Sequence, residues 1–544
     1  MGASRRFAAI LLVGFVCACG NGAAQVTEVF PNPEENAEKN PKFWRDLNRR
    51  TLEKRLREER RDGIAQNVIL FIGDGMGLST LTAARIFKGQ LAGVSGEEGA
   101  LSFDQFPYTS LSKPFYHQVY SVDRMVPDSG SSGTALQCGV KSNFFTTGVS
   151  GQVNPGNCTQ SSDPKNHLKC LYQWAQDADK STGFVTTAEV TDATPAAGYA
   201  HTAHREWESR IPEGAPGGCL DIAHQLIHRS PGRELKFIAG GGRGHFQEVE
   251  VDDGTGSKGL RRDNRNLISE WVDLKRGDRI EASYAFDWKS LKKIDMDVTE
   301  SILALLAPSE LPYESLDDIK KGESYLAKLT ALAISSLSKN PDGYLLMVEG
   351  GQIDKAHHLN QAQQALIEVL GLDLAVAKAV EMTNPDDTLI VVTADHGHAF
   401  TFGGRPQRGR NILGTERPDK SVSILNYAVG PGYKSDYSNL SLSTRLKDPL
   451  HAFPATYRRD MGTHSGEDVP VFALGPCAHL FTGVHEQTLI AEVIRYAANL
   501  DETMRGSKRG SILSILSLSV PRPLAYAFAL IVVYYIHGII RTLL

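Results

Sequence analysis

The hydrophobic and polar positions of this chain repeat one pattern, in which a short apolar run ends in a segment of metal-binding side chains. The run VILFIG precedes Asp74, the run LLMV precedes Glu349, and the run LIVVT precedes Asp395 and His396. Short apolar runs rich in β-branched residues predict strands that are buried on both faces, as in a parallel sheet. Open α/β sheets bind their ligands at the carboxyl ends of the strands. The pattern therefore predicts an α/β fold with a polar site along one edge of the sheet.

Three further segments extend the pattern to six. GFVTTAEVTDATP carries Asp192 and Thr194, VPDSGSSGTA carries Ser129, and GTHSGEDVPVFALG presents His464. We expect each of these segments, like the first three, to be a buried strand joined directly to the site. One such segment has little weight by itself, but six in one chain predict a polynuclear metal site.

The ligand candidates differ in how strongly their spacing supports them. Asp354 and His358 are four residues apart just after two glycines, so both side chains share one face if a helix begins there. Such a pair offers the carboxylate and imidazole that bind zinc, although these residues also cap and pack helices. Asp395 and His396 reach one ion only if the backbone turns where the strand ends, and a strand-exit aspartate is otherwise a common cap. Glu349 has the firmest basis, because a carboxylate near a sheet core is costly unless it is paired or metal-bound.

Ser129 lies in DSGSSG, a composition that is typical of a flexible linker. The functional interpretation is a nucleophile held in a glycine-rich turn, with a metal ion lowering the pKa of its hydroxyl. No histidine is adjacent in sequence, and this favours activation by a metal over a catalytic triad.

Length and composition are compatible with a large enzyme. The chain has 544 residues, of which 41% are hydrophobic and 22% charged, enough for one large α/β domain with insertions or for two or three smaller ones. The net charge of -5 gives no reason to expect nucleic-acid binding. An anionic substrate must therefore be held by local groups.

Both ends of the chain have the pattern of targeting signals. Residues 1–25 combine a basic start, an apolar stretch and a small-residue exit, which predicts a secretory signal peptide. A spacer at 501–523, with a polar basic stretch at 505–510, precedes an apolar tail at 524–544, which is typical of a glycosylphosphatidylinositol (GPI) anchor signal. The alternative is a C-terminal transmembrane helix, because the tail approaches the length that spans a bilayer.

The cysteines and sequons are consistent with export. Five cysteines follow the signal peptide, an odd number that leaves at least one without an intramolecular partner. Their spacing does not determine the pairs. Asn157 and Asn439 begin glycosylation sequons, which are meaningful only in a secreted chain.

Two segments lie outside the repeated pattern. The charged stretch at 40–62 predicts a helix with apolar residues near one stripe, either a solvated surface helix or one that packs on a partner subunit. Residues 402–462 are rich in Gly, Pro, Arg and Ser between two site segments, and we interpret them as an inserted subdomain over or beside the site.

Taken together, these residues and their order resemble the alkaline phosphatases, particularly the secreted, membrane-anchored animal enzymes. The resemblance runs from about residue 41 to residue 499 and is specific, because the order and local sequence of every metal segment match. It implies a three-layer α/β sandwich around a large, mostly parallel sheet, with 402–462 as a crown-like subdomain inserted in a catalytic domain at 63–500. Residues 26–62 would form an N-terminal arm.

The resemblance also implies the ligands of two zinc ions and one magnesium ion per subunit. The first zinc would be held by Asp354, His358 and His464. The second zinc, which activates Ser129, would be held by Asp74, Asp395 and His396. Magnesium would be held by Asp74, Thr194 and Glu349, with Asp192 beside them.

Phosphate recognition and one disulfide follow from the same resemblance. Arg205, in the run YAHTAHREW, matches the arginine that forks onto phosphate oxygens. Asp192 and Lys355 occupy positions where the vertebrate enzymes have histidines, and they match the well-studied bacterial enzymes instead. Lys355 is expected to contact phosphate through water or to pair with Asp192. Cys158 and Cys219 match a disulfide of the family.

The implied activity is metal-dependent hydrolysis of phosphate monoesters at alkaline pH through a phosphoserine. The implied state is a homodimer on the extracellular face of the plasma membrane. Two alternatives stand beside it: a phosphodiesterase or sulfatase of the same superfamily, and an inactive surface protein that keeps the fold as a binding platform. The first is disfavoured because phosphodiesterases usually have a threonine nucleophile, sulfatases a modified cysteine or serine in a different motif, and neither shows this third-metal set. The second is disfavoured because all nine metal and nucleophile positions are present.

Overall fold

A computed structural model of the chain describes residues 29–112, 120–215, 218–249, 258–417, 422–435 and 448–501. The predicted signal peptide, the C-terminal tail and the Asn439 sequon lie outside the described residues. Within these ranges, no helix has both the length and the apolar character needed to cross a membrane.

The strands alternate with helices along most of the chain. In chain order they are β1 (Asn67–Gly73), β2 (Tyr108–Ser112), β3 (Ser181–Glu189), β4 (Phe237–Gly241), β5 (Ala282–Ala285), β6 (Ser301–Leu305), β7 (Tyr344–Gly350), β8 (Thr388–Ala394), β9 (Gly397–His398), β10 (Phe400–Phe402), β11 (Leu425–Gly430), β12 (Ala455–Arg458), β13 (His464–Ser465), β14 (Val469–Leu474) and β15 (Gly483–His485).

The α-helices, in the same order, are α1 (Glu35–Glu38), α2 (Pro41–Leu56), α3 (Leu78–Leu91), α4 (Ser129–Cys138), α5 (Cys158–Ser161), α6 (Leu171–Gln176), α7 (Ala193–Ala196), α8 (Ile222–His228), α9 (Leu267–Gly277), α10 (Trp288–Leu291), α11 (Leu316–Lys320), α12 (Tyr325–Leu337), α13 (Gln352–His358), α14 (Ala362–Met382) and α15 (Leu489–Ala497). Short 3-10 helices lie at Ser102–Gln105, Pro164–Asn166, Gly232–Glu234, Arg243–Phe246 and Ala478–Leu480.

Ten strands form one central sheet in the order β15-β2-β14-β8-β1-β7-β3-β4-β6-β5. Every pairing in it is parallel except those of β14, which runs antiparallel to both β8 and β2. The prediction of an α/β fold with a large, mostly parallel sheet is therefore confirmed.

The sheet is covered on both faces, which explains why its strands are apolar throughout. In β1, Ile69 and Phe71 pack into a core with α3, α12 and α14, whereas Val68 and Leu70 pack into a second core with α6, α8, α9 and α15. Alternate side chains of a strand point to opposite faces, so both faces of β1 must be apolar. Helix, sheet and helix thus form three layers.

Two of the six segments are not strands that enter the site, and the expectation for them is wrong. Ser129 is the first residue of α4, because the preceding Asp128 caps a helix. His464 lies on the two-residue strand β13, and the apolar strand β14 follows it rather than leading to it.

A separate three-stranded sheet is built from residues 400–458, with β10 antiparallel and β12 parallel to the central β11. It overlaps the segment predicted as an inserted subdomain, and its first strand begins two residues before the predicted boundary at 402. β9, which follows the end of β8, forms a further antiparallel pair with β13.

The cysteines form two disulfides. The structure pairs Cys158 with Cys219 and also Cys138 with Cys170, a bond that links the end of α4 to the start of α6. Cys477 is buried and takes part in neither disulfide, which agrees with the odd count.

Candidate metal centre

The carboxyl ends of β1, β7 and β8 are level with one another. Gly73 pairs in register with Gly350 on one side and with Ala394 on the other. Asp74 and Asp395 therefore leave neighbouring strands at the same height. The sheet itself brings these carboxylates together, although they are more than 300 residues apart in sequence.

Asp74, Ser129, Asp395 and His396 form one compact group in which no residue is more than 4% exposed. His396 Nε2 lies 3.4 Å from Asp74 Oδ1 and 3.2 Å from Asp395 Oδ2. Ser129 Oγ lies 3.2 Å from the same nitrogen and 3.5 Å from Asp74 Oδ1. One ion placed among these atoms would touch two carboxylates, an imidazole and the serine hydroxyl.

The position of Ser129 follows from its local sequence. The carboxylate of Asp128 accepts hydrogen bonds from the backbone N–H groups of Gly130 and Ser131, so α4 begins at Ser129. The helix N-terminus carries partial positive charge, which stabilises negative charge on the serine oxygen. The glycine-rich segment is thus a capped helix start and not a linker.

A second group contains Asp354, His358 and His464, together with His398. Asp354 and His358 share one face of α13, as their spacing predicted, with 3.1 Å between Oδ2 and Nε2. His464 Nε2 lies 3.2 Å from His358 Nε2 and 3.4 Å from Asp354 Oδ1. His398 Nε2 lies 2.5 Å from the same Asp354 oxygen.

The hydrogen bonds of the two outer histidines fix which nitrogens face the centre. His358 Nδ1 donates to the carbonyl of Gly462, and His464 Nδ1 donates to that of Pro127. With Nδ1 so engaged, each Nε2 points toward the other at 3.2 Å and toward the Asp354 carboxylate. Two imidazole nitrogens and a carboxylate that converge in this way are a donor set that fits a zinc ion.

A third group surrounds Glu349. Its Oε2 accepts a hydrogen bond of 2.5 Å from Thr186 Oγ1 on the neighbouring strand β3. The Thr194 hydroxyl is buried and has no hydrogen-bond partner of normal geometry among the described residues, yet it lies close enough to lower the pKa of Glu349. An orphaned hydroxyl beside a buried carboxylate fits an oxygen-ligated cation such as magnesium.

Asp192 connects this third group to two cations. It is the N-cap of α7, and Lys355 Nζ lies 2.8 Å from its Oδ2 while Arg205 Nη2 donates to its Oδ1 at 2.7 Å. Arg205 also lies 3.5 Å from Asp128. Burial opposes ionisation of Asp192, but Lys355 and Arg205 hold its pKa below the ordinary range.

The electrostatics of the centre show a deficit of positive charge. Burial and the neighbouring carboxylates raise the pKa of Asp74 well above its ordinary value. Burial also raises the pKa of Glu349 to about 8 and that of Asp395 to about 6. Burial penalises Asp354 as well, but His358 and His398 keep its pKa well below the ordinary range. Divalent cations would supply the missing charge, so the donor set fits metals.

The comparisons with known proteins agree with this geometry. The alkaline phosphatase family model matches residues 65–500. The tissue-nonspecific alkaline phosphatase of Felis catus is 41% identical over 494 residues, covering 87% of this chain and 92% of the relative. The chain belongs to the alkaline phosphatase family.

Two further alkaline phosphatases share the sequence or the fold. The membrane-bound alkaline phosphatase of Bombyx mori is 38% identical over 487 residues, which cover 85% of this chain and 86% of the relative. The alkaline phosphatase of the Antarctic bacterium TAB5 is 25% identical with a TM-score of 0.56, covering 81% of this chain and all of that one. A mutant of the TAB5 enzyme, with a TM-score of 0.55, has Mg bound in its M3 site.

As a member of this family, the chain is a metal-dependent enzyme that hydrolyses phosphate monoesters. The family uses zinc and magnesium and passes through a phosphoserine. The three groups described above supply donors that fit these ions: nitrogen and carboxylate in the first two, and oxygen alone in the third.

His398 is the residue at this centre that the sequence interpretation missed. It is fully buried, and the pairing of β9 with β13 places it opposite His464. Gly75, with φ of +70°, passes so close that a Cβ there would lie 2.6 Å from the His398 ring. The signal was present in the run DHGH, because alternate residues of an extended segment point to the same side.

Proposed function

We propose that Ser129 is the nucleophile of the monoester hydrolysis and that the three groups bind the metals as follows. Asp354, His358 and His464 hold the first zinc; Asp74, Asp395 and His396 hold the second; Asp74, Thr194 and Glu349 hold magnesium, with Asp192 beside them. The observation that carries this proposal is the contact of the Ser129 hydroxyl with His396 and Asp74. It places the nucleophile beside two of the side chains that would bind the second zinc.

The ions, when bound, lower the pKa of coordinated hydroxyls and neutralise charge on the attacking and leaving oxygens. Ser129 loses its hydroxyl proton to solvent and its Oγ attacks phosphorus in line. The bond to the alcohol oxygen breaks, that oxygen takes up a proton from solvent and leaves as the alcohol, and a phosphoserine forms. The N-terminus of α4 stabilises the negative charge on Ser129 Oγ before the attack. Water then cleaves the phosphoserine and releases inorganic phosphate.

Arg205 and Lys355 hold the phosphate during both steps. The guanidinium of Arg205 presents parallel N–H donors that match two phosphate oxygens. Its contacts with Asp192 and Asp128 fix its orientation before substrate binds. Lys355 contributes positive charge, directly or through a water molecule.

A comparison of three chromogenic substrates tests the assignment. Wild-type protein supplied with zinc and magnesium is expected to hydrolyse a phosphate monoester far faster than the matching diester or sulfate. Ser129→Ala is expected to lower monoester turnover on the order of 10³-fold or more while keeping its metal content. Ser131→Ala is the matched control, because Ser131 lies in the same buried helix start but its hydroxyl faces Asp128. Full turnover by Ser129→Ala would remove Ser129 from the nucleophile role, and a preference for diester or sulfate would favour a superfamily relative.

We further propose a homodimer held on the extracellular face of the plasma membrane by a GPI anchor, with a transmembrane tail as the alternative. The apolar residues Trp44, Leu47, Leu52 and Leu56 of α2 are 37–76% exposed, a pattern that suits contact with a second copy. A lipid anchor would be released from cells by a phosphatidylinositol-specific phospholipase, whereas a transmembrane tail would not. Glycosylation is proposed at Asn157, a partly exposed residue that caps α5, and at Asn439.

The domain boundaries are part of the same proposal. A catalytic domain at 63–500 is supported by the family match to residues 65–500. The crown-like subdomain at 402–462 is supported by the separate three-stranded sheet of β10, β11 and β12.

A further inference from the structure

Glu189, Glu208 and His245 form a separate cluster of metal-binding side chains that shares no residue with the proposed zinc and magnesium ligands. One ligand atom from each lies within 4.8 Å of the other two. His245 Nε2 lies 3.0 Å from Glu189 Oε2 and 3.2 Å from Glu208 Oε2. The side chains are only 11–16% exposed, so the cluster is largely buried, unlike acidic residues that approach one another on a protein surface.

Three separate elements bring these residues together. Glu189 is the last residue of β3 and pairs with Gly241 at the end of β4. Gly242 then turns the chain with φ of +87°, so close to Glu189 that a Cβ at this glycine would lie 2.9 Å from the Glu189 Cβ. This tight turn starts the 3-10 helix Arg243–Phe246, which presents His245 to the carboxylate.

Outer contacts orient the donors, as they do in metal sites. Ser209 Oγ lies 2.9 Å from His245 Nδ1, and it satisfies that nitrogen so that Nε2 faces the two glutamates. Thr191 Oγ1 donates a hydrogen bond to Glu208 Oε2, which fixes the second carboxylate. Zinc bonds of about 2.0–2.2 Å in a tetrahedron place neighbouring ligand atoms about 3.3–3.6 Å apart, so the donors at 3.0 and 3.2 Å would move apart by a few tenths of an ångström to admit an ion.

Charge points the same way. Two ionised carboxylates with a protonated imidazole carry one net negative charge, and burial opposes this state by raising the pKa of Glu208 to about 8. A divalent ion would neutralise both carboxylates together, whereas a single shared proton neutralises only one charge. Three protein ligands with partial exposure also leave a fourth position for water.

We propose that Glu189, Glu208 and His245 bind an additional divalent transition-metal ion, with zinc as the best-matched ion. The cluster is adjacent along the chain to the proposed phosphate-binding residues: Thr191, which bonds Glu208, precedes Asp192, and Glu208 follows Arg205 by three residues. An ion there would tie the loop that carries Arg205 to the ends of β3 and β4 and would stiffen it.

Metal analysis of the holoenzyme tests the proposal. Wild-type protein equilibrated with micromolar zinc and millimolar magnesium is expected to contain one divalent ion per subunit beyond the proposed two zinc and one magnesium. Glu208→Gln and Glu189→Gln are each expected to lose that one equivalent of zinc and to keep the others. Glu213→Gln, whose side chain on the same loop is 95% exposed, is the matched control and is expected to match wild type.

Anomalous diffraction from wild-type crystals at the zinc edge gives a second measurement that does not depend on any variant folding. A peak among Glu189, Glu208 and His245 is the expected result. The same metal content in wild type and Glu208→Gln, or a map with peaks only at the catalytic centre, would overturn the proposal and leave a protonated His245 bridging two carboxylates.

Discussion

Lys355 and Arg205 share a single carboxylate. Each oxygen of Asp192 contacts one of the two cations, at 2.8 Å from the ammonium and 2.7 Å from the guanidinium. The carboxylate therefore offsets part of the positive charge that would otherwise act on phosphate. It also holds both cationic side chains in place before substrate binds. Asp192 therefore affects both the affinity for phosphate and the orientation of Lys355 and Arg205.

Asp192→Asn is expected to tighten phosphate binding, because it removes one negative charge and releases both cations. The competitive inhibition constant for inorganic phosphate should fall about tenfold, the factor that corresponds to about 1.4 kcal/mol. It should be measured at saturating magnesium, since the same change weakens that proposed site. Lys355→Gln is the opposite test and should raise the constant; a fall in both variants would contradict the shared-charge account.

Arg205→Lys is expected to raise the KM for a phosphate monoester about tenfold or more, because lysine cannot form the paired contacts of a guanidinium. The metal content should not change. Of the carboxylates that Arg205 contacts, Asp128 belongs to none of the proposed ligand sets, and Asp192 lies beside the magnesium ligands. Steady-state kinetics and elemental analysis check both statements. Arg210→Lys, at a half-exposed position five residues along the chain, serves as the control. An unchanged KM in Arg205→Lys would remove this residue from the phosphate pocket.

Metal content is expected to fall as the pH falls from about 8 to about 5. In the metal-free centre the pKa of Glu349 is raised to about 8 and that of Asp395 to about 6, both mainly by burial. Protons therefore compete with metal ions below these values, and the competition grows with acidity. Dialysis at fixed free zinc and magnesium, followed by elemental analysis, measures the curve. Constant occupancy over this pH range would show that these carboxyls do not have to lose protons when the metals bind.

Glu368→Gln is expected to stabilise the protein at neutral and alkaline pH. Burial and the nearby Glu314 raise the pKa of Glu368 from 4.5 to about 8, although it accepts hydrogen bonds from Glu314 N and Gln364 Nε2. A raised folded-state pKa means that its stability contribution is fully present below pH 4.5 and is lost as the pH rises toward 8. Each tenfold change in proton affinity between the folded and unfolded states corresponds to about 1.4 kcal/mol of folding free energy.

The difference in Tm between Glu368→Gln and wild type should therefore widen from pH 5 to pH 8 and stay constant above it. Scans at one heating rate and fixed metal concentrations measure this difference. Glu381→Gln, a surface carboxylate with a side chain 69% exposed, is the control and should follow wild type at every pH. A difference that is constant with pH would show that Glu368 does not titrate in this range.

Leu52→Glu combined with Leu56→Glu is expected to convert the proposed dimer to monomers, because both side chains are more than half exposed on α2. Sedimentation velocity over a range of protein concentrations reports the change. Arg50→Glu changes a charge on the opposite face of the same exposed helix and should leave the dimer intact. If the double variant stays dimeric, the apolar residues of α2 do not form the interface.

The sequence predicted the parts of the fold and site that depend on local pattern. The apolar runs of β1, β7 and β8 and the spacing of Asp354 and His358 each encode their element directly. Ser129 was assigned to a turn because DSGSSG has poor helix propensity; a single capping carboxylate and tertiary burial outweighed it. The pairing of Cys138 with Cys170 depends on how α4 and α6 meet, and no sequence spacing reports that contact.

The level ends of β1 and β8 bear on the order in which the protein matures. Gly75, just beyond β1, donates to Asp395 across 320 residues of chain, so the first carboxylate of the centre is synthesised long before its partners. An isolated aspartate binds ions weakly, and the full donor set exists only after the sheet has closed. Metal loading is therefore a late event in the life of each molecule. The ions must therefore be available where folding finishes.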